Sequence, residues 1–343
     1  MEFDLMTGSS TWSNAAELAR SLEAEGFSGM LYTETGQVPW MQIAAAAMAA
    51  PSLTFTTGIA VAFPRSPMIS AQIAWELAGE TQGKFRLGLG SQVKGHITRR
   101  YSAEFSHPAR RMRDYVLAVK ACLRAFRGEE KLSHEGEFYN LSLLPAQWSP
   151  RKHDHGDVKV DISSVGPIMN RVAGEVADGV HVHPMHSIHY IENRLLPEVA
   201  EGADRAGRDL ADIDLIVPVF AVPGDTPEER AALLHRAKTQ IAFYGTTPNY
   251  SFQFTDLGYE GVTEALGKLF KAGDLQGMAD AVTDDMLDHF ALVSTWDEMA
   301  DRLIDRYHGR AARVVMYLTE EGIRNDPESI HKWGDVARAV TAR

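Results

Sequence analysis

The chain has one cysteine, Cys122, among 343 residues. No disulfide can close within it, which fits a reducing cytoplasm. Cys122 itself lies in the amphipathic run Val119 to Phe126, where a small apolar residue packs and a buried thiol stays inert. Positive charge is also short: 34 Lys and Arg against 46 Asp and Glu leave a net charge of −12. Such a surface repels nucleic acid and anionic membranes, so an anionic ligand would need a local pocket rich in N–H donors. Long apolar runs are missing. The longest, Ile43 to Ala50, is too short to span a bilayer. The first residues lack the basic and apolar blocks of a signal peptide. There is no repeat, no low-complexity tract and no Gly/Ser/Pro-rich linker to divide the chain. These absences point to a soluble cytoplasmic protein with one domain over residues 1–343 and a small molecule as its partner.

What is present is an alternation of strand-like and helix-like segments, with 45% hydrophobic residues to build a core. Strand patterns occur at Phe3–Met6, Gly29–Thr33, Leu53–Val61, Phe85–Leu89, Val158–Ile162, Asp178–Val182, Ile213–Ala221 and Val314–Leu318. Helical spacing lies between them. Gly26 and Gly128 stop two helices, and Ser66-Pro67 starts another. Thr226-Pro-Glu-Glu229 and Thr295-Trp-Asp-Glu298 read as capping boxes. Eight strands each followed by helical sequence imply a parallel sheet, and the count favours closure into an α/β (β/α)₈ TIM barrel. Two segments, 129–157 and 244–290, exceed ordinary connections and are expected to cover the ligand-binding face as insertions.

Chemistry on such a barrel sits where strands end at their carboxyl side. The fourth strand runs into Gly88-Leu-Gly90-Ser91-Gln92-Val-Lys94-Gly-His96. A turn without side chains lets an anionic group reach backbone N–H donors. It is not the dinucleotide fingerprint: the third glycine is missing and no helix opens there. A plain glycine-rich turn with no ligand is the competing reading. After the fifth strand, Ser163-Ser164-Val165-Gly166-Pro167 leads directly into a helix. Its hydroxyls and free N–H groups make an anion site by orphan donors and dipole together, unless they merely cap the helix.

Arg65-Ser-Pro-Met68, Gly83 to Ser91, Ala109-Arg-Arg-Met-Arg-Asp-Tyr115 and Ser164-Val-Gly-Pro-Ile-Met169 followed by Ala173 to Gly179 occur in that order. The ordered set, spanning Phe3 to Leu318, resembles the bacterial luciferase-like family of flavin- and deazaflavin-dependent oxidoreductases. Within it the chain is most similar to the coenzyme F420-dependent branch, which includes methylene-tetrahydromethanopterin reductase. The resemblance implies a barrel with an insertion, commonly dimeric, with F420 or FMN across the strand ends. It implies that Gly58, Ile59 and Ala60 back the ring, often with a non-prolyl cis peptide. It implies further that Gly90, Ser91 and Gln92, with Ser163, Ser164, Val165, Gly166 and Pro167, hold the ribityl chain and phosphate, and that Lys94 and His96 add contacts. Trp40 matches a family tryptophan near the ring; beside Pro39 it could also simply pack a loop. The sugar-phosphate dehydrogenase relatives carry an Asp-His pair after the second strand and a glutamate after the fourth-strand turn. Here Glu34-Thr35 and Gln92-Val93 stand there, which argues against a sugar-phosphate substrate.

Glu34 is the expected proton-handling or ring-orienting group, and Trp40 and His183 are expected to line the substrate side. His181 and His183 alternate onto one strand face, as a metal site would require, but no carboxylate or thiol set completes one. The remaining readings are a pocket-lining or acid–base His183 and a structural one. His153 and His155 are read as solvent-facing, and Arg99-Arg100 and Arg110-Arg111 as a solvated face or contacts to an anionic tail. The expected function is hydride transfer between F420 and an organic substrate, with no metal. FMN-dependent monooxygenation is the alternative, followed by flavin or deazaflavin binding without turnover, and then by a metal-dependent hydrolase.

Overall fold

The structure, a computed structural model, describes residues 1–343. In chain order its strands are β1 (Glu2–Thr7), β2 (Gly29–Tyr32), β3 (Thr54–Thr57), β4 (Ala60–Val61), β5 (Phe85–Gly90), β6 (His134–Glu135), β7 (Asn140–Leu141), β8 (Lys159–Ser163), β9 (Gly179–His181), β10 (Asp214–Pro223), β11 (Ala291–Ser294) and β12 (Arg313–Tyr317). The parallel neighbours run β1, β2, β3, β5, β8, β9, β10, β12 and back to β1. These eight strands therefore close on themselves into a barrel. All eight expected strands are present. β11 was not expected: it pairs only with Phe220–Pro223 at the far end of the long strand β10. No helix is long and apolar enough to cross a membrane.

Local signals explain several helix ends. Ser66 accepts the Met68 N–H at 3.3 Å with Pro67 at the first helical position. Thr226 accepts from Glu229 N at 3.3 Å and caps its helix, while the Glu229 carboxylate returns one residue further, to the Asp225 N–H at 2.8 Å, rather than to Thr226 N–H as the expected box requires. Gly26 and Gly128 sit at φ +84° and +83°, as stops need. The box expected at Thr295 does not close. The Thr295 side chain makes no cap bond, and Trp296 N donates instead to Asp225 Oδ1 at 3.2 Å.

At the amino end of the barrel an ionic layer fills the interior. Arg313 on β12 binds Asp4 on β1 through two bonds of 2.6 and 2.7 Å. Arg86 on β5 binds Asp161 on β8 at 2.8 and 2.9 Å and Asp214 on β10 at 2.7 Å. Burial opposes ionisation of Asp161, yet Arg86 and the neighbouring His181 hold its carboxyl below the usual carboxylate range. Glycine is required beside this layer: a Cβ on Gly179 would lie 2.6 Å from Asp161 Oδ1 and 2.8 Å from an Arg86 nitrogen.

The two excursions behave differently. Residues 129–157 form the hairpin β6–β7, pinned where Asp114 accepts from Phe138 N and Tyr139 N at 2.6 and 3.0 Å. The segment then returns along the outside of the barrel, with His153 stacked 4.1 Å from Trp75 and bonded to its carbonyl at 2.9 Å. It lines no part of the main cavity, so the expectation that it covers the ligand face is corrected. His153 is likewise not solvent-facing, because the apolar Trp75 face attracts it. From residues 244–290, Tyr244 and Tyr250 line the main cavity. The helices Val262–Ala272, Leu275–Asp280 and Asp284–Phe290 pack with Pro227–Gly245 around Ile241, Phe254, Leu266 and Phe290. This second apolar cluster fixes Tyr244 and Tyr250 over the barrel mouth.

Candidate active site

β3 and β4 belong to one interrupted strand. Phe55 and Thr56 pair with β5, the ladder then breaks, and Ala60 and Val61 resume it against Leu89 and Gly90. The Gly58–Ile59 peptide in the gap is cis, where the resemblance implies one. Thr57 spans the break with its side chain: Oγ1 donates to Gly88 O at 2.8 Å and accepts Gly88 N–H at 2.9 Å. Two glycines permit the close approach. A Cβ on Gly58 would sit 2.0 Å from Leu31 Cδ2, and one on Gly90 would sit 2.6 Å from Ile59 and 2.8 Å from Ser163 Oγ. Three strand ends are thereby drawn together.

They open into one cavity of about 450 Å³ at the carboxyl end of the barrel. Gly58 and Ile59 form one wall, Ser91, Gln92 and Val93 another, and Ser163, Ser164 and Val165 a third. His181, Pro218, His183, Tyr244, Tyr250 and Tyr317 complete its lining, with His183 following the strand next to the Ser163 turn. Gln92 adopts φ +57° and accepts the Val93 N–H on Oε1 at 3.0 Å, which turns the chain away after β5.

The helix Pro167–Val176 starts beside this cavity with Gly166 at its cap and no side chain capping it. A Cβ on Gly166 would meet nothing within 4 Å, so the approach is open. The Ser164 hydroxyl is buried and has no partner. Orphan helix donors together with an unsatisfied buried hydroxyl form an anion-accepting corner without a cation.

Several expected residues stand elsewhere. Glu34 does not line the cavity. Its buried carboxylate accepts the Val61 N–H at 2.7 Å and grips Arg65 through bonds of 2.7 and 2.5 Å, so it holds the resumed strand in place. Arg65 also donates to Val61 O at 2.7 Å and lies 5.6 Å over the Trp40 ring. Trp40 is buried behind the bulge and is corrected from a substrate-side residue to a support. Lys94 and His96 are exposed on the helical segment beyond the turn, and Ala60, Gly90, Gly166 and Pro167 shape the walls without lining them.

His183 does line the cavity. Its Nδ1 accepts the Met185 N–H at 3.1 Å, and its ring meets Tyr244 and Tyr250, each at 4.6 Å between centroids. Desolvation brings its pKa down to about 4, so it is neutral at pH 7. His181 is buried beneath, with Nε2 3.6 Å from Asp161 Oδ2, which joins the cavity floor to the ionic layer. Arg65, Tyr244, Tyr250 and Tyr317 were missed in the sequence. Reading the end of the eighth strand as the others were read would have found Tyr317.

A family model described as luciferase-like monooxygenase matches residues 2–313. An uncharacterized protein of Mycobacterium tuberculosis is 36% identical over 301 residues, covering 88% of each chain. The 5,10-methylenetetrahydromethanopterin reductase of Methanolobus tindarius is 23% identical over 84% of this chain and 85% of its own. Among solved structures, the coenzyme F420-dependent tetrahydromethanopterin reductase of Methanopyrus kandleri superposes with a TM-score of 0.78 at 18% identity, covering 97% of both chains.

Proposed function

The chain belongs to the luciferase-like family, and from that premise we propose that it is an F420-dependent oxidoreductase acting on a small organic substrate. The observation carrying this reading is the convergence of Gly58–Ile59, Ser91–Val93 and Ser163–Val165 on one cavity. The walls suit a flat tricyclic ring: the Gly58–Ile59 bulge offers a face, and Gly90 removes the side chain that would fill the space beside it. The corner at Ser164 and Gly166 suits the phosphate of the ring's side chain, because it presents an orphan hydroxyl and uncapped helix donors. F420 carries a further acidic tail, for which the exposed Lys94 and His96 are the nearest candidates along the chain.

When bound, the deazaflavin supplies a two-electron hydride donor or acceptor. The protein's part is positional. Glu34 and Arg65 lock the bulge, the Thr57 hydroxyl keeps β5 in register across the gap, and the tyrosines of residues 244–250 close the side away from the bulge. That arrangement fixes the approach distance of a substrate. FMN presents a similar ring and phosphate to the same loops. Titration of the apoprotein with F420 and with FMN, read by quenching of cofactor fluorescence, tests the proposal. Micromolar or tighter F420 binding with much weaker FMN binding is the expected result, and the reverse order would make the chain a flavin enzyme.

A further inference from the structure

The cavity is divided by chemistry. The side formed by the bulge and the two serine turns has no side-chain charge but abundant backbone donors, as a ring and phosphate need. The rest of the lining is aromatic: beside the Ser163–Val165 turn, Tyr244 and Tyr250 flank His183, and Tyr244 Oη and Tyr317 Oη share a hydrogen bond of 3.0 Å. None of the residues lining the cavity is Asp, Glu, Lys or Arg. Burial raises the pKa of all three tyrosines, so they stay protonated across the working range.

His183 is the polar centre of that aromatic side. The Met185 N–H donates to Nδ1, so that nitrogen is the acceptor and the proton of the neutral ring resides on Nε2. Nε2 makes no hydrogen bond within the protein, although His183 reaches the cavity. A donor of fixed tautomer, held between two rings and without a partner, is left for a ligand.

The geometry points to His183 as the specificity residue for the substrate: its Nε2–H holds the acceptor atom of an uncharged, flat, largely apolar carbonyl compound, and the cavity rejects carboxylates and phosphate esters on that side. The inference rests on the reading of the bulge and the two serine turns as the cofactor site. The discrimination follows from what surrounds the acceptor. A neutral carbonyl exchanges one water hydrogen bond for one from Nε2–H and buries its body against Tyr244 and Tyr250. An anion loses its hydration and finds no cation among the lining residues, and Arg236, which reaches towards Tyr317 from outside, is already paired with Glu321. His183 does not give up a proton in this role. A neutral imidazole is too weak an acid, so the proton that accompanies hydride delivery to the carbonyl carbon comes from solvent, and the hydride comes from reduced F420. The titratable groups around the ring are His181, His186, Tyr244, Tyr250 and Tyr317, and none of them would charge it at neutral pH.

Two measurements on the full-length protein test this, with and without F420. Nitrogen-15 imidazole shifts, assigned by comparison with His183→Gln, are expected to show a neutral Nε2–H tautomer that persists below pH 5.5. A Nδ1–H tautomer, or titration near 6.5, would overturn the assignment. Acetophenone and benzoate, matched in size, are then compared by their perturbation of the tyrosine ring signals. Acetophenone is expected to bind at least tenfold more tightly. His183→Phe is expected to weaken acetophenone three- to tenfold, the effect of losing about one net hydrogen bond. His183→Gln, which keeps an N–H near Nε2, is expected to restore most of that loss. Equal or tighter benzoate binding, or an unchanged His183→Phe affinity, would sink the proposal. Cofactor titration of the same samples reads the cofactor site separately, so failure of one reading is not confused with failure of the other.

Discussion

Glu34→Gln separates two roles for the buried carboxylate that the sequence could not distinguish. In the structure it accepts three bonds: Val61 N–H and Arg65 Nη1 on one oxygen, Arg65 Nη2 on the other. The Glu34 side chain is 2% exposed and that of Arg65 16%. Glutamine keeps one acceptor but turns its amide N–H₂ towards the guanidinium and leaves the Arg65 charge without a counterion. Breaking a buried pair costs about 3–5 kcal/mol, and partial exposure of Arg65 brings the expectation to about 2–4 kcal/mol. For a chain of this length the unfolding entropy is about 0.7 kcal/mol/K, so Tm should fall by about 3–6 °C. Because the carboxylate also anchors Val61, the bulge should loosen and F420 affinity should drop about tenfold. Turnover at saturating cofactor should change less. Thermal unfolding of the apoprotein, cofactor titration and single-turnover kinetics give the three quantities. Removing the orphaned charge in Glu34→Gln/Arg65→Met should recover part of the lost stability, since no uncompensated buried charge then remains. An unchanged Tm with turnover reduced a hundredfold at saturating cofactor would refute the clamp and return Glu34 to proton handling.

Gly90→Ala places a methyl 2.6 Å from Ile59 and 2.8 Å from Ser163 Oγ, so it should cost about 1–3 kcal/mol of overpacking and weaken F420 at least tenfold in the fluorescence titration. Ser164→Ala removes a buried hydroxyl that has no partner; the apoprotein should keep its Tm or gain slightly, while F420 binds about three- to tenfold more weakly. An unchanged affinity would take Ser164 out of the anion corner. Acid lability follows from His183 and His186, each brought down to about 4 chiefly by burial. Unfolded histidine titrates near 6.5, so between about pH 6.5 and 4 the unfolded chain binds protons that the folded chain refuses. Stability should therefore fall on acidification through that window, by up to about 1.4 kcal/mol per pH unit for each histidine, and a flat urea-unfolding profile from pH 7 to 5 would contradict the burial of both rings. Asp161→Asn should destabilise at pH 7. Its deficit should shrink only below about pH 4, because a carboxyl held low by Arg86 loses its contribution as pH falls through its folded pKa.

The barrel was legible because most of its strands are apolar-rich runs closed by glycine or polar residues, and because these signals are local. β11 was not, since Ala291–Ser294 gains strand geometry only from the overhanging end of β10, a contact some seventy residues away in sequence. The same distinction runs through the site. Gly58, Ser91 and Ser163 could be found because strand ends on a barrel must converge. Glu34 and Trp40 also follow a strand, yet their direction depends on Arg65, whose guanidinium draws both behind the bulge. A carboxylate after a barrel strand is therefore an active-site candidate only when no arginine on the neighbouring loop can reach it.

Tyr244 and Tyr250 were illegible for a different reason: their placement depends on how the helices of residues 262–290 pack on Pro227–Gly245. Composition, by contrast, was more informative than it first looked. A net charge of −12 disfavours a phosphorylated ligand at long range, but the residues lining the cavity carry no formal side-chain charge of either sign. Backbone N–H dipoles at an uncapped helix start are anchored and already oriented. They attract an anion at short range without a lysine that would bind any passing anion with equal readiness. A lining free of charge leaves the neighbouring substrate space neutral, and the selectivity assigned to His183 depends on that neutrality.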